Sequence, residues 1–346
     1  YTNGKVASGE NYSYLPSISG TGYNWYLVKD GVALSGVQKW YGSYYYFDPT
    51  TYLKLDHQDY VKSQWGDWYM VGSDGIVQSG VQKWYGKYYY FDPVTYLKLD
   101  HQDYVKSQWG LWYMVGSDGI VQSGVQKWYG KYYYFDPVTY LKLDHQDYVK
   151  SQWGDWYMVG SDGIVQSGLV QWYGHYYYFN PVTYLKATNT TFSYNGISLT
   201  ADNTGIITGT TTSSQFLLKI YQATLDGWKE YGVLPSVTAA QAILESGWGQ
   251  SALATEANNL FGIKGSYNGQ YVIMSTAEYG SGGYYYVNAE FRKYPSFYES
   301  VVDHGYFLYS NSRYSNLLHQ TSYATVTSLL QSDGYATSPT YASSLN

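Results

Sequence analysis

The stretch Gly36-Val37-Gln38-Lys39-Trp40-Tyr41-Gly42-Ser43-Tyr44-Tyr45-Tyr46-Phe47-Asp48-Pro49 decides the fold of the first half of this chain. An aromatic run on each side of Gly42-Ser43, closed by Asp48-Pro49, reads as two strands joined by a tight turn. The opening heptapeptide returns at Gly80 and Gly124, and in altered form as Gly168-Leu169-Val170-Gln171-Trp172-Tyr173-Gly174, so the period is 44 residues. Each period holds a second hairpin: Gln64-Trp65, a Gly66-Asp67 turn, then Trp68-Tyr69-Met70-Val71, closed by Ser73-Asp74-Gly75. Asn24 to Gly31 matches that second hairpin as an N-terminal half unit. About eight hairpins are expected between Gly20 and Lys186. A lone two-stranded hairpin is marginal in water, so the units must stack on their neighbours. That predicts an all-β solenoid with a nearest-neighbour core.

Composition divides the chain at the end of this array. Of 346 residues, 48 are Tyr, 13 Trp and 10 Phe, and eleven of the Trp precede residue 187. Residues 1–186 carry 14 Lys against 16 acidic residues, with Glu10 the only Glu, while residues 187–346 carry six basic against ten acidic residues. The richness in aromatics excludes a disordered chain. The net charge of -6 argues against a nucleic-acid partner, and no apolar run reaches the ~18 residues of a membrane span. With no Cys, neither disulfides nor thiolate metal sites can form, which suits a protein exported without oxidative folding. The chain is expected to be multidomain, with a repeat domain at 1–186, a Thr/Asn/Ser/Gly-rich linker at 187–208 and a third region at 209–346.

Side chains alternate faces along Tyr44 to Phe47, so half the rings are expected in the core and the other half form a periodic exposed row. Such a row suits stacking on sugar faces or caging a quaternary ammonium, whereas a mainly spacing role would leave it unused. The candidate ligand-binding rings are Trp40, Tyr44, Trp68, Trp84, Tyr88, Trp112, Trp128, Tyr132 and Trp156. Asp56-His57-Gln58-Asp59, repeated at His101 and His145, reads as a solvated connector rather than a metal site.

The pattern Gly-x-x-Lys-x-x-Gly-x-aromatic-Tyr-Tyr-Phe-Asp, at Gly36 to Asp48, resembles the cell-wall-binding repeats of choline-binding proteins and glucan-binding glucosyltransferases. That family's choline cage uses a Trp after the leading Gly and another before Tyr-Tyr-Phe. Here those positions hold Val37 and Tyr44, Val81 and Tyr88, Val125 and Tyr132, while Trp68, Trp112 and Trp156 keep only the second kind. A wall polymer or exopolysaccharide is therefore expected ahead of choline.

Periodicity changes in the third region. Phe216, Leu217, Ile220, Tyr221 and Thr224 have helical spacing after the cap candidates Ser213 and Ser214. Ser236 is expected to cap a second helix that ends near Gly247, and Ser296-Phe297-Tyr298-Glu299 is a capping box for a helix through Leu308. Tyr271 to Phe291, interrupted by Gly280-Ser281-Gly282-Gly283, predicts a hairpin, so this domain is expected to be mainly helical, α+β, with a small β lobe.

Glu245 stands out from its neighbours. It lies near the C-terminus of an otherwise apolar helix, where the helix dipole and apolar surroundings such as Leu244 and Trp248 both disfavour its charge. Both effects raise the carboxyl pKa, as a general acid requires, although the spacing alone equally suits an exposed surface glutamate.

Leu234 to Gly249 (Leu-Pro-Ser-Val-Thr-Ala-Ala-Gln-Ala-Ile-Leu-Glu-Ser-Gly-Trp-Gly), followed by Asn258-Asn259-Leu260-Phe261-Gly262-Ile263-Lys264, resembles glycoside hydrolase family 73. These are bacterial β-N-acetylglucosaminidases that cut peptidoglycan, and the resemblance runs from about Phe216 to Leu345. It implies a lysozyme-like fold and a Glu245 that protonates the leaving glycosidic oxygen. The family's Thr-x-Glu-Tyr element is Thr276-Ala277-Glu278-Tyr279, which makes Glu278 the candidate base or charge stabiliser, with Glu290 in reserve. Phe291 to Ser296 and Gly334 to Thr337 also match, and Ser338 replaces an Asp in the pattern Tyr335-Ala-Thr-Asp-Pro-x-Tyr341. Asn259, Phe261, Tyr279, Tyr294, Tyr335 and Trp248 are expected to line the sugar cleft, while Glu299 is explained by capping and Glu256 by a solvated turn. Asp303-His304 is expected to pack or hydrogen-bond.

The resemblance implies a secreted, wall-associated autolysin or lysin of a Gram-positive bacterium or its phage. Its substrate would be the β-1,4 bond after N-acetylglucosamine in peptidoglycan glycan strands. No cofactor and no metal are expected. Inverting, retaining and substrate-assisted routes stay open. The alternative is a surface or polysaccharide-binding adhesin with a vestigial hydrolase domain.

Overall fold

The computed structural model describes residues 8–18, 20–280 and 283–346, and the side chains of all of these except 277–280 and 284. Two compact units emerge: the residues up to Ser167 together with Pro181–Leu185, and Gly168–Asn180 together with Lys186–Asn346.

The first unit is a succession of antiparallel hairpins. Glu10–Pro16 pairs with Tyr23–Lys29, and Gly36–Trp40 with Ser43–Phe47, after which the pattern repeats. The opening strand Glu10–Pro16 was not anticipated, because its sequence does not resemble the repeat. In the hairpin at Gly36, Trp40 opposes Ser43, so the turn is Tyr41-Gly42, one residue earlier than the sequence suggests. Both turn residues have positive φ, 47° and 87°, as a type I′ turn requires to match the twist of its strands. The second hairpin pairs Asp59–Lys62 with Trp68–Val71, joined by the loop Ser63–Asp67 in place of the expected Gly66-Asp67 turn. Trp65 thus leaves the strand and is 62% exposed on that loop.

The reason lies in Gln64. Its side-chain oxygen accepts from the Val37 N–H at 2.8 Å, and its amide donates to the Val37 carbonyl at 2.8 Å. One side chain thereby mimics a strand neighbour for the previous hairpin. Gly36, at φ +74°, leaves room for it, since a Cβ there would collide with the Gln64 amide. Gln108 does the same for Val81, and Gln152 for Val125. Backbone bonds add to the stitching: Tyr46 N–H donates to the Gly75 carbonyl at 2.9 Å, and Val77 N–H to the Tyr44 carbonyl at 2.8 Å.

Between the hairpins the core is apolar and repetitive. Phe47, Met70 and Val71 are fully buried, as are Phe91, Met114 and Val115 one period on. The Tyr60 ring packs against Trp68 of its own hairpin and against Trp84 and Phe91 of the next, with centroids 5.5, 5.6 and 6.0 Å away. Such contacts with immediate neighbours are what a marginal hairpin needs.

The second unit begins with the last hairpin, Gly168–Trp172 with His175–Phe179. The stretch 187–208, expected as a linker, is folded. Thr190–Tyr194, Ile197–Ala201 and Ile207–Gly209 form a three-stranded antiparallel sheet. Leu199, Ala201 and Ile207 bury their side chains with Leu169 of the hairpin and Leu218 of the first helix. A Thr/Ser-rich surface face hid that apolar face from a composition-based reading.

The helices follow: α1 (Thr212–Tyr231), α2 (Pro235–Ser246), α3 (Ala252–Ala257), α4 (Phe297–Ser310), α5 (Tyr323–Ser332) and α6 (Tyr341–Leu345). The hairpin Tyr271–Gly280 with Gly283–Arg292 lies between α3 and α4 in sequence. Two cap positions differ from expectation. Thr211, not Ser213 or Ser214, caps α1 by accepting from the Ser214 N–H at 3.1 Å. Leu234 is the N-cap of α2, since Pro235 occupies the first helical position, where its missing N–H costs nothing. Ser296 caps α4 as read, accepting from the Tyr298 N–H, while its hydroxyl donates to Glu299 at 2.6 Å in place of the backbone bonds of a full capping box. Two apolar clusters make the core, one around Phe216, Ile220, Leu260 and Val301, the other around Val233, Leu308, Tyr314 and Leu330.

Candidate active site and repeat pockets

Helix α2 delivers Glu245 one residue before its end, and Gly247 in the left-handed conformation closes the helix. The carboxyl opens onto a cavity of about 390 Å³ that is lined also by Phe261, Ile263, Lys264, Arg292, Phe307, Tyr314 and Tyr335. Solvent reaches it there, yet the surrounding protein desolvates it. Burial holds its pKa above the ordinary glutamate value, against the opposing effect of a hydrogen bond from Tyr341. That bond is 2.7 Å, from the Tyr341 hydroxyl to Oε1. Gln241, itself fully buried, donates to the same hydroxyl at 3.0 Å. With Oε1 occupied as an acceptor, a proton on this carboxyl belongs on Oε2. A carboxyl whose pKa is raised and which is presented to a concave space suits general-acid catalysis.

The expected cleft residues separate. Phe261 and Tyr335 join Glu245 on the cavity. Asn259 does not: it is buried, and its side chain donates to the carbonyls of Ile263 and Arg292 and accepts from the N–H groups of Phe261 and Ile263. Its task is to fix the loop that carries Phe261. Tyr294 is buried as well, donating to Asp303 at 2.6 Å, and Asp303 is also bound by Arg292 at 2.6 Å. Trp248 packs against Phe216 in the core, with ring centroids 6.0 Å apart. Glu278 and Tyr279 lie on the strand Tyr271–Gly280, with Glu278 opposite Tyr285 in register, and their side chains are outside the described residues. Glu290 is exposed, opposite Ile273.

Sequence reasoning assigned no role to Lys264 or Arg292, the two cations of the cavity. Their proximity arises from an antiparallel bridge of Lys264 with Phe291 and the hairpin's last residue, neither of which has a local signal. Tyr341 sat in a matched pattern without a role. Behind the cavity wall, His304 is fully buried and stacks on Phe261 with centroids 3.9 Å apart. Desolvation lowers its pKa to about 3, so the ring is neutral.

In the first unit, the candidate rings fall into two places. Trp40, Trp84 and Trp128 are half-buried, while Trp68, Trp112 and Trp156 are about half exposed and lean on Tyr60, Tyr104 and Tyr148. Tyr44 and Tyr88 instead line two equivalent pockets of about 140 and 160 Å³. The first is formed with Trp65, Tyr69 and Tyr96, the second with Trp109, Tyr113 and Tyr140. Tyr132 meets Tyr184 as Tyr44 meets Tyr96, edge-on at 5.4 Å. Tyr96 and Tyr140 hold their rings there from left-handed backbone, φ 62° and 61°. Trp65 and Trp109 were missed because they leave the strand for a loop. His57, for its part, contacts Asp56 at 3.0 Å on an exposed connector.

Residues 221–346 match the family model described as Glucosaminidase, mannosyl-glycoprotein endo-beta-N-acetylglucosaminidase. The exo-glucosaminidase LytG of Bacillus subtilis is 44% identical over 124 residues, covering 34% of this chain and 44% of that protein. The chain spans less than half the length of the curated relatives it matches. Among solved structures, the catalytic domain of an autolysin from Listeria monocytogenes is 43% identical, covering 39% of this chain and 81% of that one, with a TM-score of 0.37. Choline binding protein F from Streptococcus pneumoniae is 19% identical, covering 58% of this chain and 71% of that one, with a TM-score of 0.38. The likeness to the glucosaminidase family is thus carried by residues 221–346.

Proposed function

We propose that the chain is a peptidoglycan hydrolase acting at the cell wall outside the cell, and that it cleaves the β-1,4 bond after N-acetylglucosamine. The observation that carries this reading is Glu245: a carboxyl with raised pKa on a solvent-open cavity, in a region that matches the glucosaminidase family. Glu245 protonates the glycosidic oxygen from Oε2, Tyr341 holds Oε1, and Glu278 assists as base or charge stabiliser. Lys264 and Arg292, the latter paired with Asp303, line the same cavity as Glu245. The repeats hold the polymer through the recesses at Tyr44 and Tyr88, which raises local substrate concentration without adding contacts at the catalytic carboxyl.

The test is digestion of purified peptidoglycan, followed by borohydride reduction of the products. Reduced N-acetylglucosamine at the new ends is expected, and reduced N-acetylmuramic acid would overturn the bond assignment. Glu245→Gln is expected to lower the rate by about 10²–10⁴-fold, and near-normal turnover would remove Glu245 from the mechanism.

A further inference from the structure

Three hairpin tips of the first unit carry Tyr where the backbone disfavours it. Tyr41, Tyr85 and Tyr129 sit at the first central position of type I′ turns, with φ of 47°, 45° and 44°. Asn, Asp and Gly are the residues this position prefers, and a bulky side chain at positive φ is an outlier. Packing does not explain the choice, because the three rings are 90%, 87% and 87% exposed. Strain kept at a ring so exposed points to a role outside folding.

Each ring is nevertheless held in place. It stands edge-on to its neighbour Trp40, Trp84 or Trp128, at a centroid distance of 4.8 Å in all three cases. Those Trp rings are in turn backed by Tyr12, Tyr60 and Tyr104, at 5.2, 5.6 and 5.6 Å. A tip ring on such a mount offers an exposed π-face at little further cost in side-chain freedom.

We propose that Tyr41, Tyr85 and Tyr129 form a second binding element, in which each ring stacks on one pyranose of a wall glycan. One ring, repeated identically every 44 residues, matches a polymer of identical units better than the irregular surface of a folded protein. None of the three rings lines the recesses at Tyr44 and Tyr88 or the cavity at Glu245. The inference takes its polymer class from the function proposed above.

The experiment uses the full chain carrying Glu245→Gln, so that bound polymer is not cut, and measures co-sedimentation with peptidoglycan stripped of teichoic acid. Tyr41→Asn, Tyr85→Asn and Tyr129→Asn are then combined. Because Asn suits the turn, the triple variant should melt at or above the parent temperature while retention falls about tenfold or more. The matching Tyr→Trp triple should retain binding. Parental binding by the Asn triple overturns the proposal, as does a lowered melting temperature, which would give the rings a folding role, or a parent that does not sediment at all. In the otherwise wild-type enzyme, the Asn triple should leave hydrolysis of soluble glycan fragments unchanged. Hydrolysis lost in both enzymes alike would instead count against the proposed function and leave the sedimentation result to judge the tips.

Discussion

The hydroxyl of Tyr341 donates to Oε1 of Glu245 across 2.7 Å, joining residues 96 positions apart in the chain. The bond favours the charged carboxylate and so moderates the upward shift that burial imposes.

Tyr341→Phe removes the bond. The Glu245 pKa then rises further, and the alkaline limb of the kcat/KM profile should move to higher pH. The amide of Gln241 also loses its acceptor in a buried place, a cost of about 1–3 kcal/mol. A pH–rate profile and a thermal melt read the two effects separately, and an alkaline limb that stays in place would mean that Glu245 does not titrate it.

Glu245→Gln should be silent or favourable for stability at neutral pH. The folded pKa lies above the unfolded one, so the folded state binds the proton more tightly and stability is lost as pH rises through the raised pKa. Gln carries no such penalty. As pH rises from below 4.5 through the raised pKa, the melting temperature of the parent should fall relative to that of the variant, and a constant difference would mean that Glu245 carries no such linkage.

His304 gives the opposite sign. Its pKa of about 3 in the fold lies below the 6.5 of the free side chain, so the unfolded chain binds the extra proton between those values. Stability is complete above pH 6.5 and declines on acidification, by at most about 1.4 kcal/mol per pH unit. Both ring nitrogens lack a hydrogen-bond partner among the described residues. His304→Phe keeps the stack on Phe261 and should flatten this acid dependence while raising the melting temperature at pH 7. A variant as acid-sensitive as the parent would place the proton uptake elsewhere.

Gln108→Ala should loosen one joint of the repeat array. The Val81 N–H and carbonyl lose their partners, at about 1–3 kcal/mol for each group left buried and unsatisfied. Faster amide exchange at Val81, with little change at the more distant Val37, is the expected pattern. Uniform acceleration along the array would mean that the hairpins open together.

Local patterns were legible in the sequence, and contacts between distant segments were not. Ser296 and Glu299 announce their helix because a capping box acts within four residues. The repeat period announces the hairpins. The turn falls at Tyr41-Gly42, one residue before the expected Gly42-Ser43, because Tyr gives no local signal for positive φ. Asn259 was placed in the cleft by resemblance, whereas its four hydrogen bonds bury it beneath the loop it shapes. Lys264 and Arg292 reach the cavity only through strand pairing, which no short motif encodes.

The Gln-to-Val stitches also bear on how such a chain can change in length. Residues 80–123 and 124–167 differ at a single position, Leu111 against Asp155. Each unit carries its own stitch, the Gly that clears a space and the Val and Gln that bridge it, and meets the next through contacts that recur with the period, such as Gln58 donating to the Lys83 carbonyl and Gln102 to that of Lys127. A unit spliced out or duplicated at the period boundary therefore restores every junction it disturbs. Copy number becomes a quantity that recombination can adjust by whole steps, leaving Glu245 and its surroundings as they are.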